Sequence, residues 1–482
     1  MKKNEELLDA IGKIDEKLIP DLSPRKKNHK VLFISSVAVV VAAAVLLLAL
    51  FPPKFVSNLF GESHATAKVL AAPNYPEMAE YPDENALSFS EFDKQYKLWH
   101  ETREVLLQQP TGYQTAYFEY FKEVVSAMSD PDSKENFVFS PLSLYLALGM
   151  TAEISDGQSR QQILDVLHEE DIESLRNNSK SLFEVTYADD GMATCILADS
   201  LWTNNKCKYD SKVLENLAAY YYASAFTGDP ASAKYTEMYR SWINEQTDGL
   251  LSDYVQDMKL DPQTVLALVS TVNYSAKWNI PFDEQATKPA TFHAPDKDLT
   301  CDFMKAENQT IFYRGESFDS ISLDTNGNGY MRLILPNEGT SPEALLSDEE
   351  CLGFMLNKNN VAKKDMLVTL SLPKFDISNS LDLNGKLKKM GITDIFNSSS
   401  ADFSTLGTGE DNLFISQAIQ NVRVTIDEEG CKAAAVTAMM LAGAAMPPDD
   451  RIELVFDRPF IFEIVSLTGV PLFIGIVNQP VG

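Results

Sequence analysis

Positive charge is scarce in this sequence. Its 482 residues carry 41 Lys and Arg against 69 Asp and Glu, a formal net charge of −28. That balance excludes nucleic acid as a partner, because holding a phosphate backbone first requires a basic footprint. Histidine is also sparse: there are five, and only His168 and His293 follow residue 110. Neither sits in a catalytic context, and both read as exposed surface residues. No Gly-x-Ser-x-Gly or His-Glu-x-x-His motif occurs, so no enzyme is expected. The five cysteines, Cys195, Cys207, Cys301, Cys351 and Cys431, are odd in number and widely spaced. They show neither zinc nor redox spacing and give no disulfide framework. No metal and no cofactor is expected. Asp324-Thr325-Asn326-Gly327-Asn328-Gly329 imitates the start of a calcium loop. The position that needs Glu is Leu335, however, and a hairpin turn is the simpler reading.

There is one long apolar run. Residues 31–51, VLFISSVAVVVAAAVLLLALF, contain no charge, and 21 residues of helix span about 30 Å, the thickness of a bilayer core. Arg25, Lys26, Lys27, His29 and Lys30 precede it, a cluster that belongs on the cytoplasmic side. The run is longer than a signal-peptide core and starts too far from the amino terminus. The expectation is a single-pass anchor in a cell membrane, with residues 1–30 cytoplasmic and the remainder outside. Secretion after cleavage is the alternative. Leu7, Leu8, Ile11, Ile14 and Leu18 fall at helical spacing in the leader, which suggests a short amphipathic helix. Residues 52–110 then read as an extracytoplasmic stalk or linker, proline-rich at first, with helix-like sequence from Ser88 to Gln109.

From residue 111 the pattern tightens into alternating helices and strands. TGYQTAYFEYFKEVVSAM places Tyr117, Phe118, Phe121, Val124 and Val125 on one side of a helix that Asp130-Pro131-Asp132 ends. NFVFSPLSLYLALGM reads as a short buried strand followed by a helix that begins near Ser140-Pro141, since proline suits a first turn. CILADSLWTNN, QTVLALVSTVNYSAKWNIPF, GYMRLILP and MLVTLSLPKF read as strands. RIELVFDRPFIFEIVSLTGVPLFIGIVNQP reads as three more, with a turn at Thr468-Gly469. Long strands, many helices and no βαβ rhythm indicate an α+β fold with largely antiparallel sheets.

One stretch has an unusual composition. DEEGCKAAAVTAMMLAGAAMPP, residues 427–448, opens on acids and a glycine, continues small and apolar, and closes on two prolines. As a strand it places Cys431, Ala433, Ala435, Thr437, Met439 and Leu441 on one uncharged face, because side chains alternate. Ala, Met and Leu are also good helix formers, so a buried helix over 432–446 remains open on this stretch alone.

These segments, in this order, resemble the serpin family. LVFDRPFIFEI, residues 454–464, is similar to the family's carboxy-terminal signature. NFVFSPLSLYLALGM, WINEQTDGLLSDYV, SAKWNIPF, KFDISNSLDLNGKLKKMGI and VRVTIDEEG are each similar to a family segment. The resemblance covers residues 111–482, read as one serpin domain. It implies about nine helices, three mainly antiparallel sheets and a mobile reactive-centre loop, here residues 430–448. It further implies an irreversible suicide-substrate inhibitor of serine proteases. The protease cleaves the loop, an acyl complex forms, and the cut loop inserts into the main sheet. A leader, span and stalk ahead of such a domain suggest a bacterial source, and a monomer is expected.

The resemblance assigns the loop hinge to Glu428, Gly430, Cys431, Lys432, Ala433, Ala434 and Ala435. Small hinge residues are those of inhibitory members; Cys431 and Lys432 depart from the usual pattern. The scissile bond falls at Ala444-Ala445, with Met446-Pro447 as the alternative register. Small apolar residues there suit an elastase-like or subtilisin-like protease. Ser140, Ser143, Ser270, Gln420 and Trp278 map to the region that controls sheet opening. Ser270 and Gln420 stand where the family usually has Asn and His, and a Ser–Gln hydrogen bond is the expected replacement. A non-inhibitory member, acting as a carrier, chaperone or surface-binding protein, is the alternative function.

Overall fold

The computed structural model describes residues 67–480 except 84–85, 207, 257, 259, 261–265, 328, 409–412, 416–417 and 432–449. Its helices are α1 (Phe89–Leu107), α2 (Tyr113–Met128), α3 (Pro141–Ile154), α4 (Gly157–Leu167), α5 (Ile172–Thr186), α6 (Ser211–Tyr220), α7 (Ala233–Gln246), α8 (Ser252–Val255), α9 (Pro342–Leu345), α10 (Glu349–Met355) and α11 (Asn384–Lys389). Two of these eleven, α8 and α9, are single turns, which accounts for the excess over the expected nine. The strands are β1 (Ala67–Ala71), β2 (Phe137–Phe139), β3 (Ala188–Asp189), β4 (Ala193–Asn204), β5 (Lys208–Tyr209), β6 (Ala223–Gly228), β7 (Leu266–Lys277), β8 (Lys288–His293), β9 (Asp298–Arg314) and β10 (Phe318–Asp324). The chain continues with β11 (Tyr330–Pro336), β12 (Ala362–Pro373), β13 (Phe375–Asp382), β14 (Gly407–Thr408), β15 (Ile419–Ile426), β16 (Gly430–Cys431), β17 (Arg451–Val455), β18 (Phe460–Val465) and β19 (Pro471–Val477).

Three sheets result, as expected for this α+β fold. The first runs β1-β6-β4-β7-β16-β15-β13, with β3 on β4; the second runs β17-β12-β9-β10-β11-β18-β19-β2, with β8 on β9; the third pairs β14 with β5. Only β4–β6 and β12–β17 are parallel among the described pairs. The core lies between the two large sheets and the helices α2–α5. The helix α3 is buried nearly all round, from Leu142 to Ile154, because its sequence has no polar stripe. Its start is fixed locally: Pro141 takes the first turn, and the Ser140 hydroxyl accepts the Ser143 amide hydrogen at 3.2 Å. The calcium-like stretch is the β10–β11 hairpin, with Asp324 opposite Tyr330.

The segment expected as a stalk is, in its described part, built into the fold. β1 pairs antiparallel with β6, Ala67 opposite Gly228. Tyr75 stacks on Phe183, Tyr187 and Tyr222. α1, capped by Ser88 and Glu91, lays Trp99 and Arg103 against Asp190, with the indole nitrogen donating at 2.8 Å. Prolines keep 72–82 extended, but the aromatic rings between them are what the body buries.

The expected cell-membrane placement is corrected. No helix among the described residues is long and apolar enough to cross a membrane. The longest, α1, carries Glu91, Asp93, Lys94, Lys97, Glu101, Arg103 and Glu104, and the apolar α3 has only 14 residues. The leader 1–30, the run 31–51 and residues 52–66 lie outside the described residues.

A buried ion pair sits in the second sheet. Arg332 on β11 and Glu463 on β18 are cross-strand partners, 2.7 Å apart, and both are buried. Arg332 also donates to the Met355 carbonyl and to Asn357. Removing one charge strands the other, so Arg332→Met should destabilise the protein by about 3–5 kcal/mol. Arg332→Met with Glu463→Leu should recover most of that loss. Thermal unfolding of the single and double variants measures both.

Candidate functional site

The main sheet carries a seam. β7 and β15 are neighbours only through β16, a strand of two residues: Gly430 lies opposite Lys277, and Cys431 opposite both Ala276 and Ile426. Beyond β16, no pairing joins β7 to β15 among the described residues. Gly430 is required for this entry. Its φ is +158°, and a Cβ there would lie 2.3 Å from the Ala276 carbonyl oxygen and 2.8 Å from the Lys277 Cα. Backbone atoms cannot move aside, so no other residue fits without shifting β7. Cys431 follows, buried, its thiol pushed up to about 12 by burial and then by Asp427, so it acts as a small neutral apolar group.

The turn that feeds β16 is held from several sides. The Trp278 indole donates to the Asp427 carbonyl at 2.9 Å, and its amide donates to the Glu429 carbonyl at 3.0 Å. The Phe282 amide donates to the Glu428 carbonyl at 3.0 Å. The Glu428 carboxylate receives Lys374 Nζ at 2.7 Å and Thr287 Oγ1 at 2.8 Å. Burial works against that carboxylate, but these two bonds outweigh it and hold its pKa below the usual value. Lys374 is raised in turn, mainly by its bond to Glu428.

Further down, a polar cluster bridges the seam from below. The Gln420 side chain on β15 makes two bonds to Ser140, accepting its amide hydrogen at 2.9 Å and donating to its carbonyl at 3.0 Å. The Ser140 hydroxyl also donates to the Leu472 carbonyl at 2.8 Å. On the β7 side, the Ser143 hydroxyl donates to the Ser270 hydroxyl at 3.0 Å. The expected Ser270–Gln420 bond is therefore replaced by two separate contacts to α3. Serine is too short to cross the unpaired gap, whereas the glutamine amide matches a peptide group on its own side. Two cavities of about 20 and 10 Å³ lie along the seam. The larger is walled by Ser140, Ser143, Ser270, Val422 and Phe473, with Leu250 over it. It has room for about one water.

The structure thus brings Ser140, Ser143, Ser270 and Gln420 together. It places Trp278 with Asp427 and Glu428 at the hinge end instead. Of the residues expected at the hinge, Glu428, Gly430 and Cys431 lie at the turn into β16, while Lys432, Ala433, Ala434, Ala435, Ala444, Ala445, Met446 and Pro447 fall outside the described residues. The sequence reading missed Lys374 and Thr287. Both are polar residues beside strand ends, with no local pattern to single them out.

The site is thus a mixed fold in which Gly430 and Cys431 stand between β7 and β15 of the eight-stranded sheet, over a serine cluster. The chain belongs to the serpin family: residues 117–480 match the family model described as Serpin (serine protease inhibitor). It is 28% identical to plasminogen activator inhibitor 1 of Neovison vison over 82% of this chain and 97% of that one. It is 30% identical to alpha-1-antitrypsin of Meriones unguiculatus over 73% and 86% of the two chains. Among solved structures, the thermophilic serpin tengpin in its native state is similar, with a TM-score of 0.68, 26% identity, and coverage of 86% of this chain and 100% of that one. The family is one of protease inhibitors.

Gln420→Ala should open the seam more readily. The loss leaves the buried Ser140 amide unpaired, at about 1–3 kcal/mol, while the Ser140 carbonyl keeps the Leu144 amide hydrogen at 3.2 Å. The expected outcome is a shorter native-state lifetime at elevated temperature, followed on native gels, with Gln420→Glu intermediate.

Proposed function

We propose that this serpin irreversibly inhibits serine proteases of small apolar primary specificity, elastase-like or subtilisin-like. The observation that carries the reading is β16: Gly430 and Cys431 occupy the first two positions of a strand between β7 and β15, whose facing edges are otherwise unpaired. Continuing that strand keeps the parity of Cys431 and turns Ala433, Ala435, Thr437, Met439 and Leu441 inward. A face with no charge enters the sheet without a desolvation penalty.

In this mechanism the protease serine hydroxyl attacks the Ala444 carbonyl carbon. The bond to the Ala445 nitrogen breaks, and that nitrogen leaves as the protonated amine. The acyl ester on Ala444 is then carried away as the loop inserts, before water can hydrolyse it. Ala at the cleaved position suits a shallow apolar pocket and gives a trypsin-like enzyme no cation to bind. The similarity to plasminogen activator inhibitor 1 and alpha-1-antitrypsin supports an inhibitory member.

Incubation with elastase should give a complex that survives denaturing electrophoresis and a released peptide beginning at Ala445. A peptide beginning at Pro447 moves the bond to Met446. Cleavage without any complex overturns the inhibitory reading and favours a carrier or binding role. Ala435→Glu places a charge on the inward face, so it should turn most of the inhibitor into cleaved substrate.

A further inference from the structure

Asp199 lies in the middle of β4, opposite Ser270 of β7 on one side and Ala223 of β6 on the other. It is fully buried, and neither carboxyl oxygen has a hydrogen-bond partner at ordinary length among the described residues. The segment after β1 contributes Tyr75, whose own hydroxyl is raised far out of the physiological range, first by burial and then by Asp199. β7 contributes the Ser270 hydroxyl, with Ser143 of α3 behind it. Among the described residues, no lysine, arginine or histidine acts on the carboxyl. Burial dominates and pushes it up to about 7, with Ser270 drawing it partly back.

Its place in the sheet gives this carboxyl a consequence. Asp199, Ser270, Ser143, Ser140 and Gln420 form a polar line from β4, past β7 and α3, to β15. Ser270 accepts a hydrogen from Ser143 at 3.0 Å, which leaves its own hydroxyl hydrogen to turn toward Asp199. The cavity of about 20 Å³ in the seam has Ser270 in its wall, one residue from the carboxyl. Separating β7 from β15 widens that cavity and admits water. A carboxylate gains much from such hydration, and a neutral carboxyl little.

We propose that Asp199 is a positioning residue that makes opening of the main sheet depend on pH: its neutral form keeps the seam closed, and its ionised form favours the opened sheet. The proposal rests on reading the seam as one that opens. The sign follows from linkage. The carboxyl titrates higher in the closed protein than the ordinary 3.8, so the closed state holds a proton that the opened state releases. Its stabilisation is complete below about pH 4 and is lost as pH rises through about 7.

The test follows loss of the native state of the full chain in mild urea at pH 5.5 and pH 8, by tryptophan fluorescence and native gels. The wild type should convert about tenfold faster at pH 8, on the order of one pH unit of linked titration. Asp199→Asn should be slow at both values. A flat wild type, or a slope retained in Asp199→Asn, overturns the proposal. If Asp199→Asn does not fold, Ser270→Ala removes the group that lowers the carboxyl and should move the midpoint to higher pH. An unchanged midpoint overturns it equally. No protease enters these measurements, so failure to form a protease complex would remove the inhibitory reading and leave this one standing.

Discussion

Everything distinctive here depends on the unpaired edge between β7 and β15. Strand edges are normally covered or blunted, because open N–H and C=O groups invite another strand. This protein instead keeps two edges facing each other inside its eight-stranded sheet, closed by a two-residue plug above and by α3 below. The plug is possible because Gly430 lets backbones approach more closely than any Cβ allows. The floor is possible because the residue that caps α3 has a backbone amide with no partner inside the helix, which the Gln420 side chain takes up. A helix cap and a sheet closure thus share one residue, Ser140.

Charge is handled differently on the two sides of the molecule. In Arg332–Glu463, buried on both sides, and Arg176–Glu153, with a buried Glu153 and a half-buried Arg176, each carboxyl group meets a guanidinium at 2.7 Å. They lock elements together, since separating them would leave a bare charge in a low-dielectric interior. The floor of the seam holds no such pair among the described residues. Its groups, Ser140, Ser143, Ser270 and Gln420, are neutral and can be parted at modest cost. Two ion pairs lie beside the seam, Glu428–Lys374 at the turn into β16 and Arg423–Asp376 between β15 and β13, and neither bridges β7 to β15. The distribution keeps the sheet's flanks rigid and its centre separable.

Much of this was legible in the sequence. The α+β class, α3 starting at Ser140-Pro141, a long strand within residues 263–282 and the hairpin at Asp324–Gly329 all follow from periodicity, caps and turn residues; that the strand stops at Lys277 does not. What was not legible depends on distance in sequence. Gln420 and Ser140 are 280 residues apart, so only the folded chain shows that the amide reaches the helix cap and not Ser270. The proline-rich 72–82 reads as a linker because extended chain has no period; that Tyr75 stacks on three rings is a tertiary fact. Asp199 did leave a trace, as a lone acid inside the apolar run CILADSLW, but its isolation from every cation is a property of the fold.

The seam also bears on what must drive strand insertion. Each backbone hydrogen bond gained is worth about 0.5–1.5 kcal/mol net, while ordering each inserted residue costs about 1–2 kcal/mol. An inserted residue makes at most two such bonds, so pairing roughly offsets ordering and cannot supply a large surplus. The surplus has to come from burial. Val272, Val422, Val424, Ile464 and Phe473 wall the seam, and two small cavities there show that this surface lacks partners. On the proposed inhibitory reading, inward Ala, Met and Leu side chains would fill that space at about 25 cal/mol per Å² of apolar area. The alternation of small and apolar residues in the sequence after Cys431 would then set how strongly the sheet accepts the loop, and the hydrogen bonds its register.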